Sequence, residues 1–273
     1  MSGDNNKKQY HFVIMAAQRK GVVNPLAEAA GVSHKCLIKI DGKSLIERTL
    51  TEVVASGLAR RISVSIEDDA PLKSDSYVRG LMDGGFVRFV KSTDNLFDSV
   101  AAALAQDDDL PAIITTADNV LVTAEMYRYF CEHAESYDAS AALCSRETLE
   151  SKYPGGQKRF HRFKDGQYTN CNTFAIMNRE AVAAAEVFRS GGQFLKASRL
   201  RAIKSFGLIN AIAYKNAWFT LDGGFKGLSR KFGVNIAPVL MPFPEAPIDV
   251  DNEHTLEFAT RIIKDRKAEA ESQ

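Results

Sequence analysis

Residues able to do chemistry on phosphates fall in three stretches. The first, Ala16 to Lys35, reads AAQRKGVVNPLAEAAGVSHK and leaves an apolar run. A loop at the end of a buried strand can turn backbone N–H groups toward phosphate oxygens. Arg19, Lys20 and Lys35 add cations for charge-assisted contacts. Neither a Walker loop nor a G-x-G-x-x-G fingerprint occurs anywhere in the chain. By physics alone an ordinary solvated connection explains the stretch as well. The second, Thr115-Thr116-Ala117-Asp118-Asn119, places a carboxylate directly after an apolar strand. A hard cation such as Mg²⁺ takes one or two carboxylates together with phosphate oxygens and water. Asp118 fits that role, and a turn or helix-capping aspartate fits the sequence equally. The third runs from Ile248 to His254. Its period-2 spacing puts Asp249 and Asp251 on one face of an extended segment. Two such carboxylates repel unless solvated, paired or bridged by a cation. The alternative there is a solvated cap for the last helix, made by Asp251 or Asn252.

These residues need a scaffold, and the pattern around them supplies one. Tyr10 to Ala16 is apolar on both faces and reads as a buried strand. Cys36 to Ile40 alternates, and Asp41-Gly42 turns the chain. Ser44 and Glu47 form a capping box for a helix ending at Ser56, with Gly57 beyond it. A strand is expected over Arg61–Glu67 and a helix from Pro71 to about Asp83. A strand over Phe86–Lys91, a helix over Leu96–Ala105 and a strand over Pro111–Thr116 follow. Thr123 then caps a helix to Glu135, and Asp138–Cys144 is a strand. Such alternation predicts an α/β fold with a mostly parallel central sheet flanked by helices. Ligands bind beyond the carboxyl ends of such strands, where the loops after Ala16 and Thr116 lie.

The second half is less regular. Arg159–Lys164 and Gln167–Met177 flank Asp165-Gly166 as an inserted β-hairpin. Helices are expected over Glu180–Arg189, around Phe194–Ala213, over Phe225–Phe232 and over Leu256–Lys267. Val239–Pro242 reads as extended.

Composition narrows the class. The 273 residues are 45% hydrophobic, which excludes wholesale disorder, and the length favours a single domain. Within it, residues 1–8 and 268–273 are expected to be flexible tails. The 35 basic and 34 acidic side chains argue against a general nucleic-acid binder. Cys36, Cys131, Cys144 and Cys171 have neither zinc-site nor disulfide spacing and read as buried apolar residues of a reducing compartment. No apolar run reaches the ~20 residues of a bilayer span, nor a signal-peptide core. A cytoplasmic protein is expected, with a homodimer compatible.

Taken together the three stretches resemble the MobA-like nucleotidyltransferases. The resemblance rests on Ile14-Met15-Ala16-Ala17, His34-Lys35-Cys36-Leu37 and Asp41-Gly42-Lys43-Ser44-Leu45-Ile46-Glu47. It continues in Asp118-Asn119-Val120-Leu121-Val122-Thr123 and in Asp249-Val250-Asp251-Asn252-Glu253-His254-Thr255-Leu256. Gln18 stands where the family usually has its first loop glycine. Val22 replaces the loop arginine and His34 the proline before the lysine.

The resemblance implies a glycosyltransferase-A-like fold, with a nucleotide-binding half over 9–145 and an acceptor-binding half over 146–267, and transfer of a nucleotidyl group from a nucleoside triphosphate; the residues themselves leave the base nearly open, and CTP is the donor guessed first. It implies that Ala16, Ala17, Gln18, Arg19, Lys20, Gly21, Lys35, Ser99 and Asp118 bind the nucleotide. Lys35 and Asp118 become catalytic, and Asp118 and Asp251 hold Mg²⁺ with Asp249 behind them. The acceptor, a small phosphorylated alcohol, acid or sugar, is expected against Arg159, Arg162, Asn172 and Lys196. Lys158, His161, Lys164, Arg199, Arg201 and Lys204 crowd the same elements, and each cluster also reads as a solvated face. His11, His133 and His254 are expected to be structural, and Trp218 to pack. Besides an unrelated α/β protein, two alternatives stand. A glycosyltransferase on this fold would want a D-x-D where the chain reads Asp118-Asn119-Val120. A non-catalytic nucleotide binder is favoured by Gln18 and Val22 and opposed by the joint presence of Lys35, Asp118 and Asp251.

Overall fold

A computed structural model of the chain describes residues 8–18, 24–105, 109–184 and 217–272. β1 (Tyr10–Met15) is the apolar run at the start, buried on both faces. Tyr10, Phe12 and Ile14 pack into one hydrophobic cluster with Leu45, Leu50, Tyr127 and Phe130. Val13 packs into another with Val100, Ala103, Ile114 and Ile176. A strand covered on both sides carries no polar alternation.

β4 (Ala59–Ile66) and β6 (Ala112–Thr116) flank β1 in parallel, and β5 (Val87–Lys91) lies outside β4. On the other side come β9 (Gly166–Ile176), β7 (Ala139–Ser145) and β10 (Ile236–Leu240). The order is β10-β7-β9-β6-β1-β4-β5, with β8 (His161–Phe163) paired to β9. The expected hairpin is therefore present, but its long arm is a central strand. β9 runs antiparallel between β6 and β7 in an otherwise parallel sheet. Strands from both expected halves share this one sheet.

From β1 the chain moves outward through β4 to β5, then returns to β6 on the other side of β1. A crevice at the carboxyl ends of β1 and β6 results from that reversal.

Side chains cap the starts of most of the described helices. Ser44 caps α2 (Leu45–Ala55) by accepting the Glu47 N–H at 3.1 Å. Thr123 caps α6 (Ala124–Ala134), Asn95 caps α5 (Leu96–Ala103) and Asn24 caps the short α1 (Pro25–Ala29). The helix expected over 71–83 is two: α3 (Ala70–Ser74) and α4 (Ser76–Asp83). Asp75 breaks it, because its carboxylate accepts the N–H groups of Tyr77 and Val78 and so starts a new helix. The helices α7 (Arg146–Lys152), α8 (Arg179–Ala184) and α9 (Leu221–Phe232) follow. The last, α10, spans Glu253–Glu271, so four of the residues expected in a flexible tail are helical. Ala268, Glu269 and Ala270 are strong helix formers and extend it. Asp41, at φ 48°, and Gly42, at φ 80°, form the turn between β2 (Lys39–Ile40) and β3 (Lys43–Ser44).

Trp218 is 63% exposed rather than packed. The four cysteines are free and buried. Among the described residues no helix is long and apolar enough to cross a membrane. The helix expected around 194–213 and the far end of the one over 180–189 lie outside the described residues.

Candidate active site

The crevice gathers the chemistry that the sequence had scattered. Lys35 opens a 3-10 turn (Lys35–Leu37) whose Cys36 is buried in the core, which fixes the lysine's root. Its ammonium donates to the Asp118 carboxylate and, at 3.2 Å, to Asp251 Oδ1. These partners lie 83 and 216 residues further along the chain. Burial alone would lower the Lys35 pKa, but Asp118 and then Asp251 outweigh it and the net shift is upward.

Asp118 sits past the end of β6 in a turn held by Asn119. The Asn119 side chain donates to the Cys171 carbonyl at 2.8 Å. The Asp118 carbonyl accepts the Val250 N–H at 3.2 Å, tying the late segment to this turn. Asp118 caps no helix; Thr123 does that work for α6.

In the late segment, Ile248 and Val250 are buried and alternate with Asp249 and Asp251. The expected period-2 face is thus formed. Asn252, not Asp251, caps α10, in a capping box with Thr255. Asp251 is left free to reach Lys35.

Carboxylate oxygens of Asp118, Asp249 and Asp251 all lie within 4.8 Å of one another. Asp249, expected behind the other two, lies within the same group. One ammonium against three carboxylates leaves the cluster short of positive charge. Burial, then the neighbouring Asp251 and Asp118, push the Asp249 carboxyl up to about 7. Asn172 opposes that by donating Nδ2–H to Asp249 Oδ2 at 2.8 Å. Asp118 Oδ1 is buried and has no hydrogen-bond partner. An orphaned anionic oxygen inside a ring of hard donors suits Mg²⁺.

The loop after β1 shows how two departures from the family pattern meet. Ala16 is buried and donates to the Ser65 carbonyl at 2.9 Å, and Ala17 is exposed. The Gln18 backbone N–H donates to Glu67, and its side chain donates to the Ser33 carbonyl at 2.9 Å. His34 Nε2 lies 3.6 Å from the same Glu67 carboxylate. Arg19, Lys20, Gly21 and Val22 lie outside the described residues, as does Lys196 with Arg199, Arg201 and Lys204.

Ser99 is buried, and its hydroxyl serves the loop before α5. It accepts the Thr93 N–H at 2.9 Å and donates to the Asn95 carbonyl at 2.9 Å. Lys158 and Arg159 before β8, Arg162 on it and Lys164 just after it are exposed. His161 is half-buried, and burial lowers its pKa. The three histidines expected to be structural have partners elsewhere. His11 bonds Ser63, His133 stacks on Tyr129 and His254 leans on Phe258.

Sequence reasoning passed over Glu67, Gln157 and Asn119. Glu67 follows an apolar strand as Asp118 does, so the same signal was there. Gln157 Nε2 lies 3.2 Å from the Pro247 carbonyl and 3.5 Å from Asp249 Oδ1. Nothing in its neighbourhood of the sequence marks it.

A family model described as the MobA-like NTP transferase domain matches residues 27–202, more than half of the chain. A search of the curated proteins returns no match. Among solved structures, a hypothetical transferase from Thermus thermophilus superposes with a TM-score of 0.73 at 19% identity. The match covers 91% of this chain and 99% of that one. The 4-diphosphocytidyl-2C-methyl-D-erythritol synthase of Anaerococcus prevotii gives a TM-score of 0.57 at 13% identity, over 95% and 100%. A CMP:2-keto-3-deoxy-manno-octonic acid synthetase complexed with CTP gives 0.52 at 11%, over 94% and 100%. At these identities the likeness establishes a shared fold.

Proposed function

The chain belongs to the MobA-like NTP transferase family, and from that premise we propose that it moves a nucleoside monophosphate from a nucleoside triphosphate onto a small phosphorylated acceptor. The convergence of Lys35, Asp118, Asp249 and Asp251 at the crevice carries this reading. In the reaction an acceptor phosphate oxygen forms a bond to the α-phosphorus, the α–β anhydride bond breaks, and pyrophosphate leaves. A phosphate monoester is ionised near neutral pH, so no strong general base is needed. What remains is positioning and charge neutralisation.

Asp118, Asp249 and Asp251 would hold Mg²⁺. When bound, it would supply Lewis-acid neutralisation of phosphate charge. Lys35 presents its ammonium at the same edge and stabilises charge on the triphosphate. Ala16, Ala17 and Gln18 lead the loop after β1 toward the nucleotide, the N–H groups of Ala16 and Gln18 being held by Ser65 and Glu67, and Arg19, Lys20 and Gly21 follow in sequence. Ser99 acts through the Thr93 loop beside it. Arg159 and Arg162, with Lys196, offer cations to the acceptor's phosphate. A phosphorylated alcohol, acid or sugar suits that charge.

CTP is the first donor to test. Two solved relatives of the fold carry cytidylyl names or CTP, and base choice rests on the assay. Pyrophosphate release is measured from CTP, GTP, ATP and UTP with Mg²⁺ over a panel of phosphorylated alcohols, acids and sugars. Release with one pair, lost in Asp118→Ala, supports the reading. Nucleotide binding without release for any acceptor points instead to a non-catalytic binder.

A further inference from the structure

Asn172 has an unusual backbone for a strand residue. It sits inside β9 at φ 51°, the left-handed region that few side chains other than asparagine and aspartate tolerate. The register explains why. Ala141 pairs with Phe174 and Leu143 with Asn170, so Ala142 alone faces Cys171, Asn172 and Thr173. The extra residues bulge out of the ladder, and a bulge re-aims the side chain it carries.

Here the bulge aims a carboxamide at the carboxylate cluster. Asn172 Nδ2 donates to Asp249 Oδ2 at 2.8 Å. Asn170 grips the bulge from both ends. Its Nδ2 donates to Asn172 Oδ1 at 3.1 Å, and its Oδ1 accepts the Asn172 N–H at 3.0 Å. The Cys171 carbonyl beside it accepts from Asn119, the neighbour of Asp118. The bulge is therefore bonded to both segments that supply carboxylates, Asp118-Asn119 and Asp249. The Asn172 carboxamide already has a partner at each end, which fits an orienting role better than the acceptor contact expected from the sequence.

We propose that Asn172 is a positioning residue, whose bulged, left-handed backbone exists to hold the Asp249 carboxylate in place for a divalent cation. The inference rests on the cation reading of the three carboxylates given above. A non-glycine residue at positive φ is uncommon and persists where the surroundings impose it, here the Asn170 clasp and the bulge. Losing an outer partner of a metal-binding carboxylate weakens metal affinity by ~10–100-fold.

The test is Mn²⁺ binding by electron paramagnetic resonance, with and without the α,β-methylene analogues of the four nucleoside triphosphates. Asn172→Gly is the informative variant, since glycine accepts the positive φ and lacks only the carboxamide. It is expected to keep the wild-type melting temperature within a few degrees while its Mn²⁺ affinity falls by ~10–100-fold. In an Asp249→Asn background the same change should cost nothing further, because the two residues act as one unit. Wild-type Mn²⁺ affinity in Asn172→Gly, or an additive loss in the double variant, overturns the proposal. If Asn172→Gly does not fold, Asn172→Ser is put through the same two comparisons. A wild-type protein that binds no Mn²⁺ under any of these conditions overturns the cation reading itself, a failure distinct from the other two.

Discussion

Lys35 holds two carboxylates that the chain delivers from far away, and single substitutions there test the chemistry. Lys35→Ala and Asp118→Ala are each expected to abolish turnover, with about 3 kcal/mol or more added to the barrier. Asp118→Ala relieves a crowded carboxylate cluster and should melt near wild type, whereas Lys35→Ala leaves the carboxylates without their cation and is expected to melt lower while remaining folded. Wild-type turnover in either variant removes the assignment. A second residue sets a pH dependence far from the site. His11 is fully buried; its Nε2 lies 2.7 Å from Ser63 Oγ, and its Nδ1 lies 3.3 Å from the Asp109 carbonyl. Burial is the largest influence and lowers its pKa to about 4. The folded state thus binds fewer protons than the unfolded one between about pH 6.5 and 4. His11 stability is fully present above that window and lost as pH falls through it, by about 3 kcal/mol. Denaturant midpoints of wild type and His11→Gln between pH 7 and 4 should converge as pH falls. At this scale Lys35, Asp118 and Asp251 were legible because each follows an apolar run or stands in a family motif. Gln157 was not, because a loop aims it, and Asn172 was read as an acceptor contact because the bulge that turns it toward Asp249 leaves no mark in the sequence.

Elements place those residues through their ends. Asn252 caps α10 and in doing so leaves its neighbour Asp251 at the cluster. Asn252→Ala should lower stability by about 1 kcal/mol and raise the Mg²⁺ concentration needed for half-maximal activity. A stability loss with unchanged Mg²⁺ dependence would show that the cap does not position Asp251. Gly156 is a second such point, since a β-carbon there would lie 3.0 Å from Ile248 Cδ1 and 3.1 Å from the Tyr153 carbonyl. The capped, periodic helices α2 and α6 were readable in the sequence. Three features were not, the first being the short α1 inside a stretch read as a loop. The break at Asp75 falls inside a run that suits one helix and is decided by a side-chain cap. The helix α7 is seven residues long and buries only Leu149, so it has no periodic stripe to read.

For the molecule as a whole, ligand binding should appear as stability. A nucleotide at one hundred times its dissociation constant adds about 2.7 kcal/mol. For a chain of this size that is a melting shift of roughly 5–10 °C, to be read by calorimetry with Mg²⁺ present. The shift should vanish in Asp118→Ala if the carboxylates are what bind. The alternation of strands and helices made the parallel part of the sheet legible. The central place of β9 was not, because Asp165-Gly166 reports only a local turn, whereas pairing with β6 and β7 is settled by contacts distant in sequence.

That late insertion bears on how the protein is made. A ribosome releases β6 and β7 well before β9, and β10 later still. Until residue 176 emerges, β6 has β1 on one side only, and β7 has neither of its neighbours, β9 and β10. A nascent chain at that stage exposes bare strand edges, which invite pairing between chains. A chain stopped after residue 158 is therefore expected to partition to the insoluble fraction, and chaperone capture during synthesis should fall off once the β9 codons have been translated.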